Sequence, residues 1–274
     1  MELDLSFANA CRLKLPEYTD IRLILVGCGG TGSWLAPAVA RAARLMIDLG
    51  KTVQVLLVDP DKVEEKNVYR QNFARAEIGR WKASTLALRY GTAWGVPISA
   101  SPIKLNYNSL LVFLNRANYY TAKIFIGCVD NAGAREDIDR IANGLSSAWW
   151  LDCGNTKNSG QVLLGKAESV QENAFVLPGF CSWLPSPVKQ EPSLLEDAGE
   201  ETETGENLSC AEMALMNAQG LAINQRMAAE AADYLMRMLI TQDLRKMATY
   251  IDLESGASKS RYITEENVMK EAQE

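Results

Sequence analysis

The chain has 274 residues, 47% of them apolar, and a formal net charge of -6. That length holds one large α/β domain or two small ones around a substantial core. The acidic balance argues against a nucleic-acid surface or an anionic-membrane surface. No apolar run approaches a membrane span, and MELDLSFANACRLKL lacks the layout of a signal peptide, so the cytoplasm is the expected compartment.

The elements alternate from the start. Residues 22–26 (RLILV) predict a strand, 34–49 a helix and 53–58 (VQVLLV) a strand buried on both faces. Residues 82–94 predict a helix, 98–104 a strand and 108–120 a further helix. Residues 123–129 (KIFIGCV) predict a strand, 134–145 a helix, and 149–153 and 161–164 two closing strands. This alternation implies right-handed βαβ units and a Rossmann-like, mostly parallel sheet with helices on both faces. Beyond residue 165 the composition changes. Residues 177–192 hold four of the nine prolines, and residues 191–206 (EPSLLEDAGEETETGE) carry seven acidic groups, a composition expected of a mobile loop. An Ala- and Met-rich run, 211–240, predicts one long helix or two shorter ones with the break at Gly220. Residues 249–264 predict a short antiparallel hairpin turning at GASKS. The expected organisation is one domain over 1–274, with an alternating first half at about 20–166 and a second half, opening on the loop, at about 167–274.

Histidine is absent, so the usual forms of His-dependent triads and His-ligated metal hydrolases are excluded. The six cysteines form no C-x-x-C pair, and no zinc is expected. What chemistry remains must use carboxylates, Lys, Arg, Cys or a bound metal. Gly27, Gly29 and Gly32 of VGCGGTGS satisfy G-x-G-x-x-G between the first strand and the first helix. There, backbone N–H groups and a helix N-terminus can face a phosphate. Asp59 ends the second strand, where a carboxylate can accept from ribose hydroxyls. Arg70 and Lys82 follow, and Asp130 leaves a later strand at the C-terminal edge of the sheet. Two cations and a magnesium-binding carboxylate suit the charge that develops when a triphosphate breaks between its α- and β-phosphorus.

GCGGTGS, DPDKVEEKNVYRQNF, IGRWKA and VDNAGAR resemble, in this order, the motifs of the ThiF/MoeB/HesA family, the bacterial relatives of ubiquitin-activating enzymes. The resemblance covers about residues 22–165, and its nearest branch is the one found in PRTRC plasmid-type cassettes. It implies a Mg2+- and ATP-dependent adenylation of the C-terminal glycine of a small β-grasp (ubiquitin-like) protein by a homodimer. It implies that Gly30 approaches the phosphates, that Asp59 takes the ribose, and that Lys66, Asn67 and Arg70 line the ATP site. Lys82 would then sit on the phosphates, and Asp130 would hold magnesium with Asn131 beside it. The zinc-binding C-x-x-C pairs of many relatives are missing, with Cys181 alone in that region. The Arg that relatives place upstream of the first strand has only Arg12 as a substitute.

Cys210 follows the acidic stretch and opens a helical run, with Ser209 as a possible cap. A helix N-terminus favours a thiolate, so the residue is a candidate nucleophile, and equally a small buried residue at a helix start. Cys28, Cys128 and Cys153, at strand ends or in the glycine turn, are expected to be packing residues. Two other readings of the whole chain stay open: an NAD-dependent oxidoreductase using the same glycine turn and Asp59, and a non-enzymatic nucleotide-binding scaffold.

Overall fold

The computed structural model describes residues 6–114, 120–166, 174–175, 177–196 and 210–273, with the side chains of 109, 210–219 and 272–273 left out. A two-residue strand, β1 (Arg12–Leu13), precedes the first long one, β2 (Asp20–Val26). Helix α1 (Gly30–Asp48), β3 (Thr52–Val58), α2 (Lys82–Trp94) and β4 (Ile98–Ser101) follow. Then come α3 (Tyr107–Leu114), β5 (Thr121–Gly127), α4 (Ala132–Asn143), β6 (Ala148–Asn155) and β7 (Ser159–Lys166). The last third holds β8 (Phe180–Cys181), α5 (Pro187–Gln190), α6 (Cys210–Met236), β9 (Lys246–Asp252), β10 (Ala257–Tyr262) and α7 (Glu265–Gln273).

Eight strands form one sheet in the order β10-β9-β7-β6-β5-β2-β3-β4. From β4 to β6 every pairing is parallel, and from β6 to β10 every pairing is antiparallel. Both halves of the chain therefore share one sheet. The strand order reverses direction between β2 and β5, and in open α/β sheets that crevice is where ligands bind.

The period of two along each strand divides the core into two faces. Leu23, Leu25, Val55, Leu57, Ile124 and Ile126 point to the side covered by α1, α2 and α6. Ile24, Val26, Leu56, Val58 and Phe125 point to the side covered by α3 and α4. Strands buried on both faces read as unbroken apolar runs, which is why the parallel strands stand out in the sequence.

Four expectations need refinement. Gly220 does not break α6, which runs unbroken to Met236 and ends in a π-helical turn, Arg237–Thr241. Ile223, Met227, Ala231, Tyr234 and Leu235 form a buried stripe at helical spacing, and burial of that size outweighs the roughly 1 kcal/mol that a glycine costs a helix. The strand expected over 98–104 stops at Ser101, and the helix expected over 108–120 spans Tyr107–Leu114, with 115–119 outside the described residues. The hairpin forms, but it turns at residues 253–256, with Gly256 at φ 70°, and ASKS lies in β10. Most of the acidic stretch, 197–206, lies outside the described residues. Among the described residues no helix is long and apolar enough to cross a membrane.

Candidate functional site

The turn between β2 and α1 is shaped by what its glycines lack. Gly27 sits at φ 87°, and a Cβ there would stand 2.4 Å from the carbonyl oxygen of Cys128, the residue just past neighbouring β5. A Cβ on Gly32 would stand 1.9 Å from the Gly27 carbonyl oxygen. Any side chain at either position would push the turn off the sheet. Gly29 is the N-cap of α1; no side chain caps the helix, and its first turn holds no acidic residue. The positive end of a 19-residue helix thus has no capping side chain and no acidic residue of its own.

Asp59 clasps this turn. Its Oδ2 accepts from the Cys28 amide at 2.6 Å and its Oδ1 from the Asp61 amide at 2.8 Å. Burial keeps its pKa above the ordinary carboxylate value, although both amides and Lys82 pull the other way. Lys82 opens α2 and is 8% exposed at its side chain, where Nζ meets Asp61 Oδ2 at 3.0 Å. The Lys82 amide also donates to the Asp61 carbonyl at 2.9 Å. One short segment, 59–61, therefore binds the glycine turn on one side and the start of α2 on the other.

The Arg70-Gln71-Asn72 segment crosses the first turns of α1 for a reason written in the helix. Pro37 lies inside α1 and has no N–H, so the Ser33 carbonyl loses its partner four residues on. Asn72 Nδ2 supplies the missing donor at 3.2 Å, while the Asn72 amide donates to Ser33 Oγ at 2.9 Å. Trp34 Nε1 donates to the Arg70 carbonyl at 3.2 Å. This places the Gln71 amide group over Gly29, with Nε2 3.9 Å from where a Cβ would be. Gln71 is 7% exposed. Both Gln71 Oε1 and Arg70 Nε are buried and find no hydrogen-bond partner among the described residues. Such orphaned polar groups cost stability and mark places where something else is to be bound.

Helix α6 closes the far side. Asn224 packs against Gly30 so tightly that a Cβ there would lie 2.5 Å from Oδ1. Thr31 Oγ1 donates to Asn155 Oδ1 at 2.9 Å, Asn155 Nδ2 donates to Asn224 Oδ1 at 3.3 Å, and Asn224 Nδ2 reaches the Arg70 carbonyl at 3.5 Å. Asn155, Asn224 and Asn72 were not among the residues singled out from the sequence. Only Pro37, an internal proline in a predicted helix, signalled that an outside donor was needed.

The expected site residues separate into groups. Gly27, Gly29, Gly30, Asp59, Arg70 and Lys82 surround the turn. Asn67 is buried close by, but its Oδ1 is engaged by the Glu64 amide at 2.9 Å, closing a 3₁₀ turn. Lys66 stands in solvent, 3.3 Å from Glu64. Asp130 is exposed past the end of β5, where Oδ1 accepts from Asn131 Nδ2 at 3.2 Å; Asn131 caps α4 through the Ala134 amide. Cys210 begins α6, and its side chain lies outside the described residues. Cys28 and Cys153 are buried, and their thiol pKa values stand well above the usual: burial and then Asp59 act on Cys28, a hydrogen bond with Cys128 and then burial on Cys153. Cys181 donates to the Trp183 carbonyl at 2.8 Å, and burial pushes its thiol up to about 12.

Among the described residues, no three Cys, Asp or Glu side chains converge on a point fit for a metal ion. A single exposed carboxylate such as Asp130 nevertheless suits magnesium, which commonly takes one or two carboxylates together with phosphate oxygens and water.

The model of the ThiF family matches residues 4–248. Among solved structures, PaaA is similar with a TM-score of 0.54 at 16% identity, over 88% of this chain and 64% of that one. Escherichia coli MccB with ATP is similar with a TM-score of 0.55 at 14% identity, over 88% and 63%. The microcin C7 biosynthetic enzyme MccB in complex with N-formylated MccA is similar with a TM-score of 0.54 at 15% identity, over 88% and 64%. At these identities the likeness is one of fold, and the chain spans a little under two-thirds of the length of those proteins. No curated protein matches the chain.

The Pro37–Asn72 relation is open to test. Asn72→Ala should lower stability by about 1–3 kcal/mol, the usual cost of leaving a buried carbonyl unpaired. Adding Pro37→Ala should recover much of that loss, because the new amide can bond to Ser33. Equal losses in thermal or denaturant unfolding with and without Pro37 would show that the carbonyl is not what Asn72 serves.

Proposed function

The chain belongs to the ThiF family, and we propose that it uses ATP to adenylate a carboxylate, namely the C-terminal glycine of a small β-grasp protein. The observation that carries this reading is the gathering of Arg70, Lys82 and the uncapped N-terminus of α1 around one glycine turn, with Arg70 Nε and Gln71 Oε1 left unpaired. A dinucleotide needs the turn and Asp59 but offers no use for an arginine and a lysine held at the same edge. The MccB structures, with ATP in one case and with N-formylated MccA in another, support the use of this fold on ATP and a second substrate.

In this reading the first-turn amides of α1 take triphosphate oxygens. Asp59, which keeps a lone pair on each oxygen beyond its two amide bonds, accepts from the ribose. A carboxylate oxygen of the partner attacks the α-phosphorus, the bond to the bridging oxygen breaks, and pyrophosphate leaves with that electron pair. Arg70 and Lys82 lie where negative charge grows on the phosphates, and their gain is largest in the transition state. Asp130, with Asn131 beside it, would hold magnesium, which when bound neutralises charge on the triphosphate. The Cys210 thiolate could next attack the acyl carbonyl carbon, releasing AMP and leaving a thioester. Catalysis of the first step by a homodimer in the cytoplasm completes the proposal.

The two steps separate experimentally. With a β-grasp protein ending in Gly-Gly, Asp130→Ala should abolish ATP–pyrophosphate exchange in a folded protein. Arg70→Ala and Lys82→Ala should each slow exchange about a hundredfold, the typical effect of losing a charge-stabilising donor, with a smaller loss in nucleotide affinity. Exchange near the original rate in the Asp130 variant would remove that residue from the metal's site, and equal losses of rate and affinity would make the two cations plain binders.

Cys210→Ala should leave exchange intact and eliminate any reductant-sensitive adduct with the partner. An adduct that persists in that variant would place the nucleophile elsewhere.

A further inference from the structure

Below the candidate site, a charged pair is buried between β5, β6 and α4. Asp152, on β6, is 0% exposed, and its Oδ1 meets Arg135 Nε at 3.4 Å. Its Oδ2 has no partner among the described residues, and neither does the nearby Trp150 Nε1. Burial pushes the Asp152 carboxyl up to about 6 even with Arg135 beside it. The pair therefore fails to recover the full cost of taking the carboxylate out of water. Replacing a buried ion pair by apolar residues of similar volume is often neutral or stabilising.

The surrounding sequence makes room for this pair. A Cβ on Gly127 would lie 2.9 Å from Trp150 Nε1 and 3.2 Å from Asp152 Oδ1. A Cβ on Gly154 would lie 2.9 Å from Arg135 Nη2. Two glycines in adjacent strands, each costly in a strand interior, thus clear space for one guanidinium and its counter-ion.

What the guanidinium reaches gives the reason. Arg135 Nη2 donates to the Val129 carbonyl at 2.9 Å. That carbonyl lies two residues past the end of β5, outside the sheet ladder. It immediately precedes Asp130. On the other side, Asn131 is fixed by the Ala134 amide at 2.9 Å. Asp130 is therefore held between two pinned neighbours, one of them pinned by an arginine that a buried carboxylate orients.

We propose that Arg135 is a positioning residue for Asp130 and that Asp152 is the buried anion that aims it, so that the turn presents the Asp130 carboxylate in one fixed direction. This rests on the reading of Asp130 as the carboxylate that meets the nucleotide's cation, but the turn itself can be tested without nucleotide. Partners one step removed from a metal-binding group typically alter metal affinity by 10- to 100-fold, whereas a merely structural pair would alter only unfolding.

The test uses the full chain. Hydrogen exchange of the amides at residues 129–135, measured without nucleotide, should be about tenfold faster in Arg135→Gln while β2 and β3 exchange as before. In the pyrophosphate-exchange assay, the Mg2+ concentration for half-maximal rate should rise by about tenfold, with the rate at saturating Mg2+ nearly restored. Should Arg135→Gln not fold, Asp152→Asn, which preserves shape and an acceptor, carries the same comparison. Unchanged turn exchange and unchanged Mg2+ dependence, alongside a lowered melting temperature, would overturn the proposal. The two claims fail separately. If Asp130→Ala keeps its Mg2+ dependence, the metal reading is lost, and turn exchange alone then decides whether Arg135 positions the turn.

Discussion

One buried carboxylate, Asp59, holds together the two loops on which every other feature of the site depends. Its oxygens accept from the amides of Cys28 and Asp61, joining the glycine turn after β2 to the segment after β3. A carboxylate bonded to two amides inside a protein is stabilised in charge and fixed in direction, and burial works against it. The bonds gain most in the same low-dielectric setting that makes an unpaired carboxylate costly. Because Asp61 continues from this clasp to Lys82, the position of the lysine relative to the N-terminus of α1 is set through three consecutive residues. No long loop intervenes.

The second constraint comes from a missing hydrogen atom. Pro37 leaves the Ser33 carbonyl unserved within α1, and Asn72 fills the gap, which draws the preceding Arg70 and Gln71 across the helix start. Arg89 extends the clamp: it donates to the Asn72 carbonyl at 2.8 Å and pairs with Glu77. The side chains so placed are strained in a chemical sense, since a guanidinium nitrogen and an amide oxygen are buried without partners. Stability is given up at this edge of the sheet, and also at Asp152 and Trp150 beside α4. That pattern is expected where binding, and not folding, set the choice of residues.

Much of this was legible beforehand, for physical reasons. Parallel strands covered on both faces must be apolar throughout, so RLILV, VQVLLV and KIFIGCV announced themselves, and the glycine turn followed from its place between strand and helix. Asp59 and Lys82 could be placed beside the turn because a strand end and a helix start are fixed by the local chain, and Arg70 was proposed from its place in the motif. What escaped depends on register and long-range packing. Asn224 meets Gly30 across 194 positions of sequence, and Arg135 meets Asp152 only because α4 folds back over β6. Gly220 read as a helix break because local propensity was weighed without the stripe from Ile223 to Leu235, whose burial against α1 decides the outcome. Lys66 read as a site residue by its place in a motif, yet a 3₁₀ turn directs it to solvent beside Glu64.

The central claim is that this turn accepts a nucleoside triphosphate and not a dinucleotide. Titration calorimetry of the purified chain with ATP and with NAD, each with and without Mg2+, tests it most directly. The account predicts that ATP binds one to one, more tightly with Mg2+, and that Gly32→Val abolishes binding by displacing the turn from α1. Saturable binding of NAD with no measurable binding of ATP would contradict it.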